Sequence, residues 1–118
     1  MFDVTDEQAV AEGVARIERE AGPIDILVNN AGIIKRIPAL EMTLPEWNEV
    51  IATDLTSPFL MSRAVAAGMI RRGHGKIVNM CSMMSEVGRS SVTAYAAAKG
   101  GLKMLTKNLA TEWAKHNI

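Results

Sequence analysis

The spacing of apolar side chains predicts a chain that alternates between helices and short buried strands. Apolar residues recur at helical intervals after Thr5, again after Thr43, and once more from about Val92 to near the end of the chain. Between these helices lie two short apolar runs, 24–28 and 76–81, whose branched side chains are typical of strands covered on both faces. This order predicts an α/β fold with a partial doubly wound parallel sheet and flanking helices.

Asp54 and Pro58 interrupt the pattern of the second helical region. Counted from Trp47, Asp54 falls within about 20° of the apolar stripe, so its carboxylate is predicted to point inward. Pro58 has no amide hydrogen and leaves the carbonyl of residue 54 without its helical partner. Two interpretations stay open: a kinked helix whose free carbonyl holds an ordered water, or a helix that ends at Asp54 before a new one begins at Ser57.

Composition and charge exclude several classes of protein. The 118 residues carry 13 basic and 13 acidic side chains, so nothing favours general electrostatic binding to nucleic acid or to an anionic membrane. No apolar run approaches the ~20 residues of a membrane span, and the acidic amino terminus does not resemble a signal peptide. The single cysteine, Cys81, fits a reducing cytoplasm. His74 and His116 lack ligand-like spacing, so no metal site is expected.

Tyr95 and Lys99 place a phenol and an ammonium on one face of the last helix, one turn apart. That helix follows a strand, so its first turn is expected at the carboxyl edge of the sheet, where doubly wound folds bind ligands. A positive charge nearby favours the ionised form of a phenol, which would let Tyr95 exchange protons. The alternative is that Tyr95 covers the core while the Lys99 ammonium reaches solvent.

Small and polar residues follow each of the two predicted strands. Asn29-Asn30-Ala31-Gly32 ends the first with residues that tolerate unusual backbone angles. Ser82 stands just beyond the second strand, thirteen residues before Tyr95, and its hydroxyl could hydrogen-bond a carbonyl that Tyr95 protonates. A serine in such a loop is more commonly a simple turn residue.

Taken together, these motifs resemble the short-chain dehydrogenase/reductase family. The matching pieces are the Asn-Asn-Ala-Gly turn, Ser82, and Tyr95-x-x-x-Lys99, and the stretch from Gly73 through Glu86 is most similar to the gluconate 5-dehydrogenase branch. The resemblance implies a Rossmann-like fragment and hydride transfer between NAD or NADP and a secondary alcohol or ketone. The expected small-molecule substrate is a sugar acid such as gluconate or 5-ketogluconate. A 3-oxoacyl-carrier-protein reductase and a non-catalytic fragment remain alternatives.

The resemblance also implies roles for individual catalytic residues. Tyr95 would be the acid/base, Ser82 would orient the substrate oxygen, and Lys99 would assist Tyr95 and hold the nicotinamide ribose. Asp54 occupies the position where the family usually has an asparagine whose main-chain carbonyl holds a relay water. Because that role belongs to the backbone, Asp54→Asn is expected to retain much activity, whereas Tyr95→Phe is not.

The remaining cofactor contacts implied by the resemblance lie in the first third of the chain. Asn30, Ala31 and Gly32 would line the adenosine side of the cofactor, with Tyr95 and Lys99 on the nicotinamide side. Asp3 and Val4 match the end of the family's third strand, where an acidic residue contacts the adenine.

By the same resemblance, residues 1–118 are expected to be the central part of one incomplete dinucleotide-binding-type domain. The two predicted strands would be the fourth and fifth of the usual order 3-2-1-4-5-6. No G-x-G-x-x-G spacing occurs in the sequence, so the chain by itself is expected to bind a dinucleotide poorly. The two long helices are expected to mediate homo-oligomerisation.

Overall fold

Four helices and two parallel strands follow one another in the predicted order, so the predicted partial doubly wound α/β fold is confirmed. A computed structural model describes residues 1–118. Its main elements are α1 (Glu7–Ala21), β1 (Ile26–Asn29), α2 (Leu44–Ile51), α3 (Ser57–Arg72), β2 (Lys76–Asn79) and α4 (Thr93–Trp113). A π-helical segment (Ala52–Thr56) joins α2 to α3, and single 3₁₀ turns occupy Met83–Ser85 and Ala114–His116. No helix combines the length and the apolar character that a membrane crossing requires.

The two strands pair in parallel, with Ile26 opposite Lys76 and Asn29 opposite Asn79. Side chains of β1 alternate between a buried and an exposed face, and the buried face packs on the helices. The prediction that the sheet is covered on both faces is wrong for these residues. Ile26, Val28 and Val78 on the other face are exposed, because the helices that contact the strands lie on one side.

Two apolar clusters hold the helices in place. The first joins α1, β1 and α3 through Val14, Leu27, Val65 and Met69. The second joins α2 to the start of α4, where Val50 is fully buried and contacts two alanines on successive turns, Ala94 and Ala98. Small side chains on α4 let the two helices approach closely. Each cluster therefore fixes an element that ends or begins at the carboxyl edge of the sheet.

Capping residues explain where the helices begin and end. Thr43 and Glu46 form a capping box at α2, and Gly73 ends α3 in the left-handed conformation, with a φ of 73°. At α1 the cap is Asp6, whose carboxylate accepts a hydrogen bond from the Ala9 amide at 2.8 Å. Residues 1–4, expected as the end of a strand, form no strand pairing here.

The π-helical segment resolves the two interpretations of the Asp54 region. The helix neither ends at Asp54 nor restarts at Ser57; it continues, with the Ser57 amide donating to the carbonyl of Ala52 five residues earlier. The Ser57 hydroxyl also donates to the Thr53 carbonyl at 2.7 Å. This wider turn carries the chain past Pro58, which has no amide hydrogen to donate. Asp54 points inward as predicted and is fully buried.

Candidate active site

Tyr95 and Lys99 lie on the first two turns of α4, at the carboxyl edge of the sheet. The Lys99 ammonium nitrogen is 5.6 Å from the centre of the Tyr95 ring. It donates a hydrogen bond of 2.9 Å to the carbonyl of Met80, the residue that follows β2. Only 6% of the Lys99 side chain is exposed, so its ammonium does not reach solvent as the alternative interpretation required.

Ser82 is held in a tight turn beside Tyr95. Its hydroxyl oxygen accepts a hydrogen bond from the Met84 amide, and its own amide donates to the Ser85 hydroxyl, each at 3.2 Å. A hydroxyl that accepts one hydrogen bond can still donate its own hydrogen to another group. The turn therefore presents Ser82 as a donor.

Ser82 and Tyr95 line one cavity of about 240 Å³, here called the Ser82–Tyr95 cavity. The other lining residues are Ile34, Arg36, Met84, Arg89 and Val92. Neither Arg36 nor Arg89 forms an ion pair or a side-chain hydrogen bond within the chain, so both guanidinium groups keep their donors available. Neither arginine could be assigned to the site from the sequence, because both lie in irregular loops, where no spacing marks the direction of a side chain.

Asp54 connects the turn after β1 to Lys99. One carboxylate oxygen, Oδ1, accepts a hydrogen bond from the Ile33 amide at 2.7 Å. The other, Oδ2, lies 3.4 Å from the Lys99 ammonium nitrogen and has no hydrogen-bond partner. A Cβ atom at Gly32 would lie 3.0 Å from Oδ2, so a larger residue there would push against the pair. Gly32, Asp54 and Lys99 are thus in direct contact.

Three of the residues predicted to contact a cofactor meet in a second, smaller cavity. Val4, Asn30 and Ala31 line a space of about 80 Å³ at the carboxyl end of β1, here called the Val4–Ala31 cavity. Asp3 is not among its lining residues. The Asp3 carboxylate accepts hydrogen bonds from the amide and hydroxyl of Thr5, at 2.8 and 2.7 Å, and these bonds lower its pKa.

Side-chain hydrogen bonds join the two strands at their last residues, next to the candidate site. The Asn29 side-chain nitrogen donates to the Asn79 side-chain oxygen at 2.8 Å and to the Ser62 hydroxyl at 3.1 Å. The Asn79 side-chain nitrogen in turn donates to the Thr106 hydroxyl at 2.9 Å. This amide ladder ties α3, β1, β2 and α4 together at the last residue of each strand. The same edge offers no metal site, since no three His, Cys, Asp or Glu side chains converge in the chain.

Comparison with known proteins matches the chain to dehydrogenases along its whole length. It is 62% identical to the 2-dehydro-3-deoxy-D-gluconate 5-dehydrogenase of Formosa agariphila over 117 residues, which cover 99% of this chain and 44% of that protein. It is 50% identical to the gluconate 5-dehydrogenase of Gluconobacter oxydans over 118 residues, which cover 100% of this chain and 46% of that protein. The chain therefore spans just under half the length of the curated relatives it matches.

A solved structure of a related dehydrogenase has the same fold as this chain. The crystal structure of a gluconate 5-dehydrogenase from Burkholderia cenocepacia, in complex with NADP and tartrate, superposes with a TM-score of 0.97 at 43% identity, covering 99% of this chain and 46% of that one. The family model for short chain dehydrogenase matches residues 1–118. The resemblance predicted from the motifs is confirmed, and the chain belongs to the short-chain dehydrogenase family.

Proposed function

We propose that this chain supplies the catalytic residues of an oxidoreductase that transfers a hydride between NAD or NADP and a secondary alcohol or ketone. We further propose that the substrate is a sugar acid such as gluconate or 5-ketogluconate. The observation that carries this proposal is the Ser82–Tyr95 cavity, with Lys99 behind the phenol and two unpaired arginines, Arg36 and Arg89, on its lining. The names of the relatives support the same substrate class.

Each catalytic side chain has a role that follows from its contacts. The Tyr95 oxygen exchanges a proton with the substrate oxygen, and the Lys99 ammonium nitrogen lies 5.6 Å from the centre of the Tyr95 ring. The Ser82 hydroxyl donates a hydrogen bond to the same substrate oxygen and so holds it in line with Tyr95. A nicotinamide, when bound, supplies or accepts the hydride.

The residues around Lys99 fit a nicotinamide cofactor. An ammonium has three hydrogens; one is donated to the Met80 carbonyl and one faces Asp54, which leaves the third for a ribose hydroxyl. The Val4–Ala31 cavity lies at the end of β1 and would receive part of the adenosine. Asp3, whose pKa is lowered by Thr5, would accept a hydrogen bond from the adenine amino group.

The arginines favour a carboxylate substrate over an acyl thioester. The acetoacetyl-CoA reductase of Rhizobium meliloti is also a relative, 45% identical over 117 residues, which makes acyl-thioester reduction the second candidate. A thioester would place a neutral group opposite Arg36 and Arg89, whereas a sugar acid would place a carboxylate there. Guanidinium groups bind carboxylates through paired, charge-assisted hydrogen bonds. We therefore place the sugar acid first.

We also propose that residues 1–118 form the central part of one dinucleotide-binding domain, since they correspond to under half of the relatives' length. The single cysteine supports a cytoplasmic protein. Homo-oligomerisation through the two long helices is supported by the exposed apolar side chains of Phe59 on α3 and Met104 on α4.

The test uses the protein translated from the whole reading frame that contains residues 1–118. Oxidation of reduced nicotinamide is followed with 5-ketogluconate, with fructose as a neutral ketose, and with acetoacetyl-CoA. We expect 5-ketogluconate to be preferred and Tyr95→Phe to lose at least about 100-fold in kcat with the circular dichroism spectrum unchanged. Ser82→Ala is expected to be impaired, and Ser90→Ala, an exposed serine of the same loop, serves as its control. A fully active Tyr95→Phe variant, or a preference for acetoacetyl-CoA, would contradict the proposal.

A further inference from the structure

Asp54 and Lys99 are two buried side chains of opposite charge that lie next to each other. The Asp54 side chain is completely buried and 6% of the Lys99 side chain is exposed. Burying an unpaired charge is costly, and a buried pair tolerates its environment only while both partners stay in place. The separation of 3.4 Å between Asp54 Oδ2 and the ammonium nitrogen therefore makes each residue the main countercharge of the other.

The two carboxylate oxygens of Asp54 have different contacts. Oδ1 is committed to the Ile33 amide, which belongs to the turn that follows β1. Oδ2 has no hydrogen-bond donor, lies 3.4 Å from the Lys99 ammonium nitrogen, and would lie 3.0 Å from a Cβ atom at Gly32. An asparagine that kept the Ile33 contact through its oxygen would turn its NH₂ group toward Lys99, so that donors would face donors. The carboxylate therefore gives the Lys99 ammonium a countercharge that an amide at this position would not give.

We propose that Asp54 is a positioning residue whose negative charge holds the Lys99 ammonium beside Tyr95 and fixes the turn at Gly32 and Ile33 against α4. This role belongs to the side chain and is separate from any role of the residue 54 carbonyl. Asp54 reaches the substrate only through Lys99. Its consequence for catalysis rests on the proposed function, while the ion pair itself does not.

A double-mutant cycle in the protein from the whole reading frame tests the ion pair without reference to activity. The variants are Asp54→Asn, Lys99→Met and the combination, each unfolded in urea. We expect Asp54→Asn to raise the unfolding equilibrium constant by about tenfold or more alone, and by no more than about threefold in the Lys99→Met background. Asp25→Asn is the matched control, because Asp25 is 66% exposed and pairs with Arg72 at 3.9 Å; its effect should stay within about threefold.

The outcomes of the double-mutant cycle distinguish an ion pair from an uncharged packing role of Asp54. An equal effect of Asp54→Asn in both backgrounds would overturn the proposal, since an uncharged packing role does not depend on the Lys99 charge. If Asp54→Asn fails to fold, recovery of folding in the double variant supports the ion pair. Failure of the double variant to fold while Lys99→Met alone folds overturns it.

A kinetic measurement on the protein from the whole reading frame tests the positioning role. The sequence alone predicted that Asp54→Asn retains much activity, but the ion pair with Lys99 changes that expectation. We expect Asp54→Asn to lower kcat at least about tenfold and to leave KM for the sugar acid within about threefold, because the arginines of the cavity are untouched. If the urea measurements show that Asp54 and Lys99 are coupled, an unchanged kcat in the Asp54→Asn variant would overturn the positioning role. A wild-type protein without dehydrogenase activity would refute the proposed function, and the urea cycle would still decide whether the pair exists.

Discussion

Replacing the two arginines of the Ser82–Tyr95 cavity tests whether the substrate carries a carboxylate. Arg36 and Arg89 line a space of about 240 Å³, and neither is paired with an acid of the chain. A carboxylate that enters with its reacting carbon near Tyr95 would find two guanidinium groups with unused donors. Changing either arginine to methionine keeps most of the side-chain length and removes the charge and the donors.

The structure sets the size of the expected effect. A hydrogen bond to a charged group contributes about 1.5–3 kcal/mol, which corresponds to about 10- to 150-fold in kcat/KM. Both arginines are exposed, so water screens the interaction and favours the lower end of that range. We therefore expect a loss of about tenfold for each single variant and of about a hundredfold for the double variant if the two act independently.

The assay compares kcat/KM for 5-ketogluconate with kcat/KM for fructose, which lacks the carboxylate. We expect the loss of kcat/KM with 5-ketogluconate and not with fructose. Raising the salt concentration should reduce the difference in kcat/KM for 5-ketogluconate between wild type and variants. Arg71→Met is the control, because Arg71 lies in the last turn of α3, at the opposite end of the strands. An equal loss with both ketones, or no loss with either, would refute the assignment of a carboxylate site.

Three further predictions concern stability. Met69→Ala, in the fully buried cluster of α3, is expected to lower the free energy of unfolding by about 2–4 kcal/mol in urea titrations. Asn79→Leu is expected to cost about 1–3 kcal/mol, because it removes the oxygen to which the Asn29 side chain donates. The hydrogen bond from Lys103 lowers the pKa of Glu86 from its ordinary value of 4.5, so this pair stabilises the fold above that value and loses its contribution as the pH falls from there through the lowered pKa. Glu86→Gln should therefore shift the urea midpoint less at pH 3 than at pH 7, and an equal shift at both pH values would contradict this reasoning.

Apolar periodicity was enough to predict the order of the elements but not where hydrogen bonding begins and ends. The run 24–28 includes Ile24, which packs on the first cluster, yet pairing with β2 starts only at Ile26. Met80 and Cys81 were expected in the second strand, which ends at Asn79. Periodicity reports burial, and a residue can be buried beside a strand without being paired in it. Caps such as Thr43 were predictable because their hydrogen bonds are local.

Some residues of the candidate site could be predicted from the sequence, and others could not. Ser82, Tyr95 and Lys99 could be placed at one edge of the sheet, because the end of a parallel strand and the start of the following helix meet there. Arg36 and Arg89 could not, since their directions depend on loop conformations that no residue spacing encodes. In the sequence, Asp54 stood out as a charge on an apolar stripe and Lys99 as an ammonium one turn from Tyr95. Only the fold reveals that each is the partner of the other.

Polar contacts between elements, more than the sheet itself, set the geometry of the site. Each strand has only four residues, so few backbone hydrogen bonds hold the strand ends in register. The amide ladder pins Asn29 to Asn79 at that point, and the Met80 amide still donates to the Asn29 carbonyl at 3.1 Å. The carbonyl of the same Met80 accepts from Lys99, which in turn faces Asp54. A displacement of β1 relative to β2 would thus move the acceptor that holds the Lys99 ammonium beside the phenol, so the ladder and the ion pair act as one support.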